Sequence, residues 1–176
     1  MDTFNHFFTK TTTINARAEY ALGFIVSVWL LLSHWSQVDF WQGVLLFAYI
    51  DLIGTVPALI AYHRSPTGRI AKSYYVVYDV LHSAVTQGLV IILYIQLFGW
   101  HWCLLAIPAH IFIDRAMFNN YPKPFGVAFE PVLHPAFERF VREYKQFDYK
   151  NADWKAMASK HKAGANDPVP ADVHGR

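Results

Sequence analysis

Residues 40–62 read FWQGVLLFAYIDLIGTVPALIAY, an apolar run interrupted by one formal charge, Asp51. It is close to the ~20 residues a helix needs to cross a bilayer. Three further apolar blocks of similar length lie at about Ala18–Trp35, Ser73–Phe98 and Trp100–Phe118. The whole chain is 54% hydrophobic and 17% aromatic but only 16% charged, against roughly 25% charged in soluble domains. These features predict an all-α fold: a polytopic membrane protein whose residues 1–126 form a bundle of four transmembrane helices. Polar residues precede the first block and no small-residue cleavage pattern follows it, so it reads as a retained span and not a signal peptide. The single cysteine, Cys103, excludes an internal disulfide and a cysteine-rich metal site. The net charge of +2 gives no reason to expect a nucleic-acid partner.

Lysine and arginine set the expected orientation. Lys10 and Arg17 precede the first block, Arg64, Arg69 and Lys72 fill the second connection, and Arg115, Lys123, Arg139 and Arg142 end or follow the fourth. The SQVD and FGWHW connections carry none. The positive-inside rule then places both termini in the cytoplasm, and Trp35, Trp41, Trp100 and Trp102 form the opposite aromatic belt. Beyond the fourth block, HPAFERFVREYKQF spaces Phe137, Phe140, Val141, Tyr144 and Phe147 at helical intervals behind a proline suited to a first turn. It predicts a cytoplasmic amphipathic C-terminal helix within residues 127–163, fit to lie on the membrane or to dock a protein partner. Residues 164–176 have no periodicity and predict a disordered end.

An ionisable group near the bilayer centre costs about 2.5–3.5 kcal/mol on insertion scales, so such groups usually face the bundle interior and mark a site. Here every block contributes at least one: Glu19, then Asp51, then Asp79 and His82, then His110 and Asp114. Asp79 and His82 are three apart, and His110 and Asp114 four apart, so each pair shares a helix face. Tyr75, Asp79, His82 and Thr86 continue one stripe, and Asp51, Thr55, Ala58 and Tyr62 repeat its intervals on the second block. At ~1.5 Å per residue, His82 lies about 13 Å in from Ser73 and His110 about 12 Å in from Phe118, which makes the two histidines level.

Carboxylates and imidazoles gathered at one depth suit a divalent cation, and without thiolates they do not select among zinc, iron and manganese. Asp79, His82, His110 and Asp114 are the expected metal ligands. Asp51 and Glu19 are additional ligands or catalytic proton-transfer groups, and His63 is a peripheral candidate at the cytoplasmic mouth. Three functions fit this pattern. The first is a metal-dependent enzyme, a hydrolase or oxidoreductase, acting on a lipid-like or hydrophobic small molecule that enters from the membrane. The second is a non-catalytic accessory subunit of a larger complex. The third is a haem or other cofactor-binding protein using His82 and His110 as axial ligands, disfavoured by the carboxylates left buried beside a haem.

Glu19, the AYID ending at Asp51, the YDVLH ending at His82 and the AHIFIDR of residues 109–115 resemble, in order and approximate spacing, a family of small bacterial four-helix membrane proteins whose last helix carries an AHIGIDR-like motif. The resemblance covers residues 17–126 and implies a multi-pass protein of the bacterial inner membrane. The family usually has asparagine at the place of Asp79 and a Gly-Tyr-Gly run at the place of FNNYP. A fainter similarity, carried by His63-Arg64, His82-Ser83 and the His-x-x-x-Asp of His110 and Asp114, is to membrane-bound metal-dependent hydrolases.

Overall fold

The computed structural model describes residues 10–118, 120–123, 129–130, 135–146, 151–153, 155–157 and 159. Asn119, Phe147 and the C-terminal stretch from Gly164 lie outside them. Among the described residues the regular structure is all helical. The chain divides into two compact units, Met1–Pro131 and Val132–Arg176.

Helix α1 spans Lys10–Ser33 and α2 spans Phe40–Arg64. Both are long and apolar enough to cross a membrane. A short 3₁₀ turn, Trp35–Gln37, joins them, and the Asp39 carboxylate caps α2 by accepting the Gln42 N–H at 3.0 Å. Helix α2 ends at Arg64, where the Ser65 N–H turns back to the Tyr62 carbonyl at 3.1 Å.

The third apolar block is not one continuous helix. It forms α3, Lys72–Leu81, and α4, Ala84–Phe98, bent by 58° at His82-Ser83. The bent pair counts as a third crossing only if its two parts are taken together. The stripe predicted through Tyr75, Asp79, His82 and Thr86 therefore stops at the bend. No proline or glycine marks this break in the sequence; its freed backbone groups find backbone and side-chain partners instead. The Tyr78 carbonyl accepts the His82 N–H at 2.9 Å, Gln87 Nε2 donates to the Leu81 carbonyl at 2.7 Å, and Arg115 Nη2 donates to the His82 carbonyl at 3.4 Å. Ser83 then caps α4. Irregular backbone at membrane depth is tolerated only when it is satisfied in this way. Helix α4 stops at Gly99, whose φ of +83° favours a residue without a side chain.

The fourth block is composite: a 3₁₀ turn at Trp102–Leu105, the short α5 at Ala106–Ile113, and a π turn at Asp114–Phe118. Arg17 of α1 covers the open carbonyls of that π turn, donating from Nε to Ala116 at 2.6 Å and from Nη2 to Met117 at 2.9 Å. Helix α5 is the centre of this unit. Helix α1 packs on α5 and its flanking turns, α2 packs on α3 and α5, and α4 touches α5. Ile50, Leu104, Ile107 and Ile111 form one apolar cluster between α2 and α5. Ala58, Tyr75, Tyr78 and Phe129 form a second, richer in aromatics.

In the second unit, α6 spans Pro135–Gln146 and begins on the expected proline. Its Phe137 and Phe140 rings lie 6.2 Å apart, and Phe137 is exposed.

Candidate metal centre

Where the two apolar clusters of the first unit meet, Asp51 follows Ile50 on α2, His110 precedes Ile111 on α5, and the Tyr78 ring stacks on His82 at 4.0 Å. Four side chains from three helical segments converge there. His82 Nε2 lies 3.3 Å from Asp51 Oδ1 and 3.5 Å from Asp114 Oδ2. His110 Nε2 lies 3.7 Å from Asp51 Oδ2 and 3.7 Å from Asp114 Oδ2. One donor atom from each of the four falls within 4.8 Å of every other, the one such metal-capable group among the described residues. Ligands about 2.0–2.2 Å from a tetrahedral metal are roughly 3.4 Å apart. The four imidazole–carboxylate separations match that spacing.

The supporting contacts orient these groups. His82 closes α3, and its Nδ1 sits 3.0 Å from the Tyr78 carbonyl, a partner that can only accept. That contact puts a ring proton on Nδ1 and leaves Nε2 facing the carboxylates, the orientation a metal-ligating histidine uses. His110 Nε2 is buried and hydrogen-bonds no group; its ring is held edge-on by Phe47 at 4.7 Å. Thr55 Oγ1 donates to Asp51 Oδ1 at 2.6 Å, and Asn120 Nδ2 donates to Asp114 Oδ2 at 3.3 Å.

Gly54 makes the approach of α3 to α2 possible. A Cβ there would stand 3.3 Å from Leu81 Cδ1 and 3.4 Å from His82 Cε1, so a methyl group would fit if the end of Leu81 gave way slightly, and a larger side chain would press on the His82 ring. With neutral imidazoles the site carries two negative charges in an apolar surround, which a divalent cation balances. Burial is uneven. The histidine side chains are 2% exposed and Asp114 11%, but Asp51 is 45% exposed although it lies near the middle of α2. Asp51 is the exposed edge of an otherwise buried cluster.

The structure thus brings together Asp51, His82, His110 and Asp114. Asp79 lies apart from them: its Oδ1 accepts the backbone N–H of Lys123 at 2.6 Å. Lys123 in turn donates from Nζ to the Phe129 carbonyl at 2.8 Å and stands over the Phe129 and Tyr78 rings. Burial pushes the Lys123 amine below the usual lysine range, partly offset by Glu130 and Asp79. Glu19 is exposed on α1, and His63 is exposed at the end of α2 beside Tyr62. Arg115, which the sequence places in a positive belt, reaches the His82 carbonyl and stands 5.3 Å from the centre of the Tyr20 ring.

Sequence reasoning passed over Gly54, Tyr78 and Asn120 as parts of the site. Only Tyr78 carried a signal, its i, i+4 spacing to His82. No family model, curated protein or solved structure matches the chain.

Proposed function

We propose that this chain is a metal-dependent membrane enzyme that hydrolyses a lipid-like substrate at a site built from Asp51, His82, His110 and Asp114. The observation that carries the reading is the convergence of His82, His110 and Asp114, three donors that leave one tetrahedral position free, beside the half-exposed Asp51. Structural metal sites are closed, whereas catalytic sites keep an open position. Two imidazoles and two carboxylates suit zinc, iron or manganese. When bound, such an ion supplies a Lewis acid and an activated water.

The protein's own groups have distinct parts in this reading. His82, His110 and Asp114 would hold the ion. Asp51, fixed by Thr55 and open on its other face, is placed to accept a proton from the attacking water. Hydrolysis is chosen because the open Asp51 carboxylate can take a proton from water. The proposed setting is the bacterial inner membrane, with four crossings and both termini cytoplasmic. The bent α3–α4 pair is taken as the third crossing and the composite segment around α5 as the fourth. Helix α6, with its adjacent Phe137 and Phe140, is proposed to dock a protein partner or the membrane surface.

The test is elemental analysis of protein purified without a histidine tag or chelator. Stoichiometric zinc, iron or manganese, lost in His110→Ala, is expected. Metal-free wild-type protein overturns the reading and leaves the four residues as packing groups of an accessory subunit.

A further inference from the structure

Asp79 lies on α3 only three residues before His82, yet the four-residue cluster leaves it out. Its Oδ1 instead accepts the backbone N–H of Lys123 at 2.6 Å. A carboxylate on an amide N–H makes a charge-assisted bond, roughly twice as strong as a neutral one. Such a bond pins a stretch of chain, here residues 120–123, NYPK.

The pinned stretch reaches two of the cluster residues. Asn120 is held on Asp114 twice, its backbone N–H on the Asp114 carbonyl at 3.1 Å and its Nδ2 on Asp114 Oδ2 at 3.3 Å. Oδ2 is the oxygen that lies 3.5 Å from His82 Nε2 and 3.7 Å from His110 Nε2, so the amide sets the direction of the carboxylate oxygen that both histidines face. Pro122 stiffens the link between Lys123 and Asn120: its ring holds φ at about −65° and restricts Tyr121 to extended conformations. A shift of Lys123 therefore passes to Asn120. The Lys123 side chain acts on His82: Nζ donates to the Phe129 carbonyl at 2.8 Å, the buried Phe129 ring meets Tyr78 edge-on at 5.5 Å, and Tyr78 stacks on His82 at 4.0 Å.

We infer that Asp79 is a positioning residue of the metal centre: by latching Lys123 it holds Asn120 on Asp114 and Phe129 against Tyr78, and so sets the geometry of Asp114 and His82 without itself ligating an ion. The inference rests on the reading of the cluster as a metal site and gives a part in that site to the carboxylate the cluster excludes. Loosening the latch removes no ligand. An ion should therefore bind at the same stoichiometry and leave faster.

The test loads the full chain with Co²⁺ in phosphatidylcholine nanodiscs and follows its visible absorption and its release to excess chelator. Asp79→Ala, which removes the acceptor, should release the ion about tenfold faster at unchanged stoichiometry. Asp79→Asn, whose amide oxygen still accepts the Lys123 N–H, should speed release by no more than about threefold. Asn120→Ala should match Asp79→Ala, and the double variant should fall well short of the roughly hundredfold that independent effects would give, because both changes act on one carboxylate. A role in stability alone would lower the unfolding temperature of Asp79→Ala and leave Co²⁺ absorption and release as in the wild type; that result, or rates that multiply in the double variant, overturns the inference. Backbone hydrogen exchange gives a readout that needs no ion. In ion-free protein Asp79→Ala, or Asp79→Asn should the alanine variant not fold, is expected to speed exchange of the Asn120 N–H while the N–H groups of α2 keep their rates, and unchanged exchange at Asn120 overturns the inference. A wild type that takes up no Co²⁺ but shows this linked exchange upholds the latch and removes the metal reading alone.

Discussion

His82 Nε2 stands 3.3 Å from Asp51 Oδ1 across two helices and 31 residues of chain. The contact exists because α3 ends there: a histidine at a helix terminus, with its Nδ1 on the Tyr78 carbonyl, aims its other nitrogen across the gap that Gly54 leaves open.

The two aspartates on neighbouring segments should separate by function. Asp51→Asn is expected to weaken metal binding, since a neutral amide replaces a carboxylate at the open edge of the site. Asp79→Asn should leave metal content unchanged and cost about 1–3 kcal/mol of stability, the range for weakening a charge-assisted hydrogen bond. Elemental analysis and thermal unfolding of both variants check this; equal metal loss would sink the assignment of Asp51 over Asp79.

A branched side chain at Gly54 probes the approach directly. Gly54→Val should press on the His82 ring and weaken metal affinity about 10–100-fold, as changes in groups that orient ligands do. Gly88→Ala is the control, because nothing lies within 4 Å of a Cβ at Gly88. It should leave affinity intact and stabilise α4 by up to about 1 kcal/mol. Competition with a metallochromic chelator reads both.

Lys123 lies past the π turn, and burial lowers its affinity for a proton. In the window below the ordinary lysine value of 10.5, the unfolded chain holds more protons at this position than the folded one. Stability contributed here therefore rises with pH through that window. Lys123→Met should flatten the rise. Thermal unfolding in detergent at about pH 8 and about pH 10 measures it, and an unchanged slope in the variant counts against the buried amine.

Orientation is open to chemical labelling. In a Cys103→Ala background, a cysteine at Gln37 should react with an impermeant maleimide from outside the cell and one at Thr67 only after lysis. The reverse pattern would move the open edge of the site to the other face.

Much of this site could be read before any fold was known. The 51, 55, 58, 62 intervals place Asp51, Thr55 and Ala58 on an inward face, where Thr55 meets Asp51 and Ala58 is fully buried. The four-residue spacing of His110 and Asp114 likewise puts both against one point, 3.7 Å apart. The bend at His82-Ser83 was not legible, because VLHSAV contains no helix breaker and its stabilising partners, Gln87 and Arg115, act through the tertiary fold. The π turn hides for the same reason, being held by Arg17, 99 residues from Ala116. Which of Asp51 and Asp79 joins the histidines depends on how α2 and α3 cross, and periodicity within one helix is silent on crossings.

The half-exposed Asp51 also imposes an order on biogenesis. Helix α2 leaves the ribosome before His82 and His110 do, so it enters the bilayer with a bare acidic group, at a cost of about 2.5–3.5 kcal/mol on insertion scales. Its long apolar run can absorb that cost alone. The segment 102–118 cannot do the same, since its helix is short, is irregular at both ends and carries His110, Asp114 and Arg115. In a glycosylation-mapped insertion assay, residues 40–64 should integrate by themselves and residues 102–118 only when α1 and α2 are present. Late arrival of α5 then makes completion of the four-residue cluster a late event in the first unit, so ion capture would report that α2, α3 and α5 have come together.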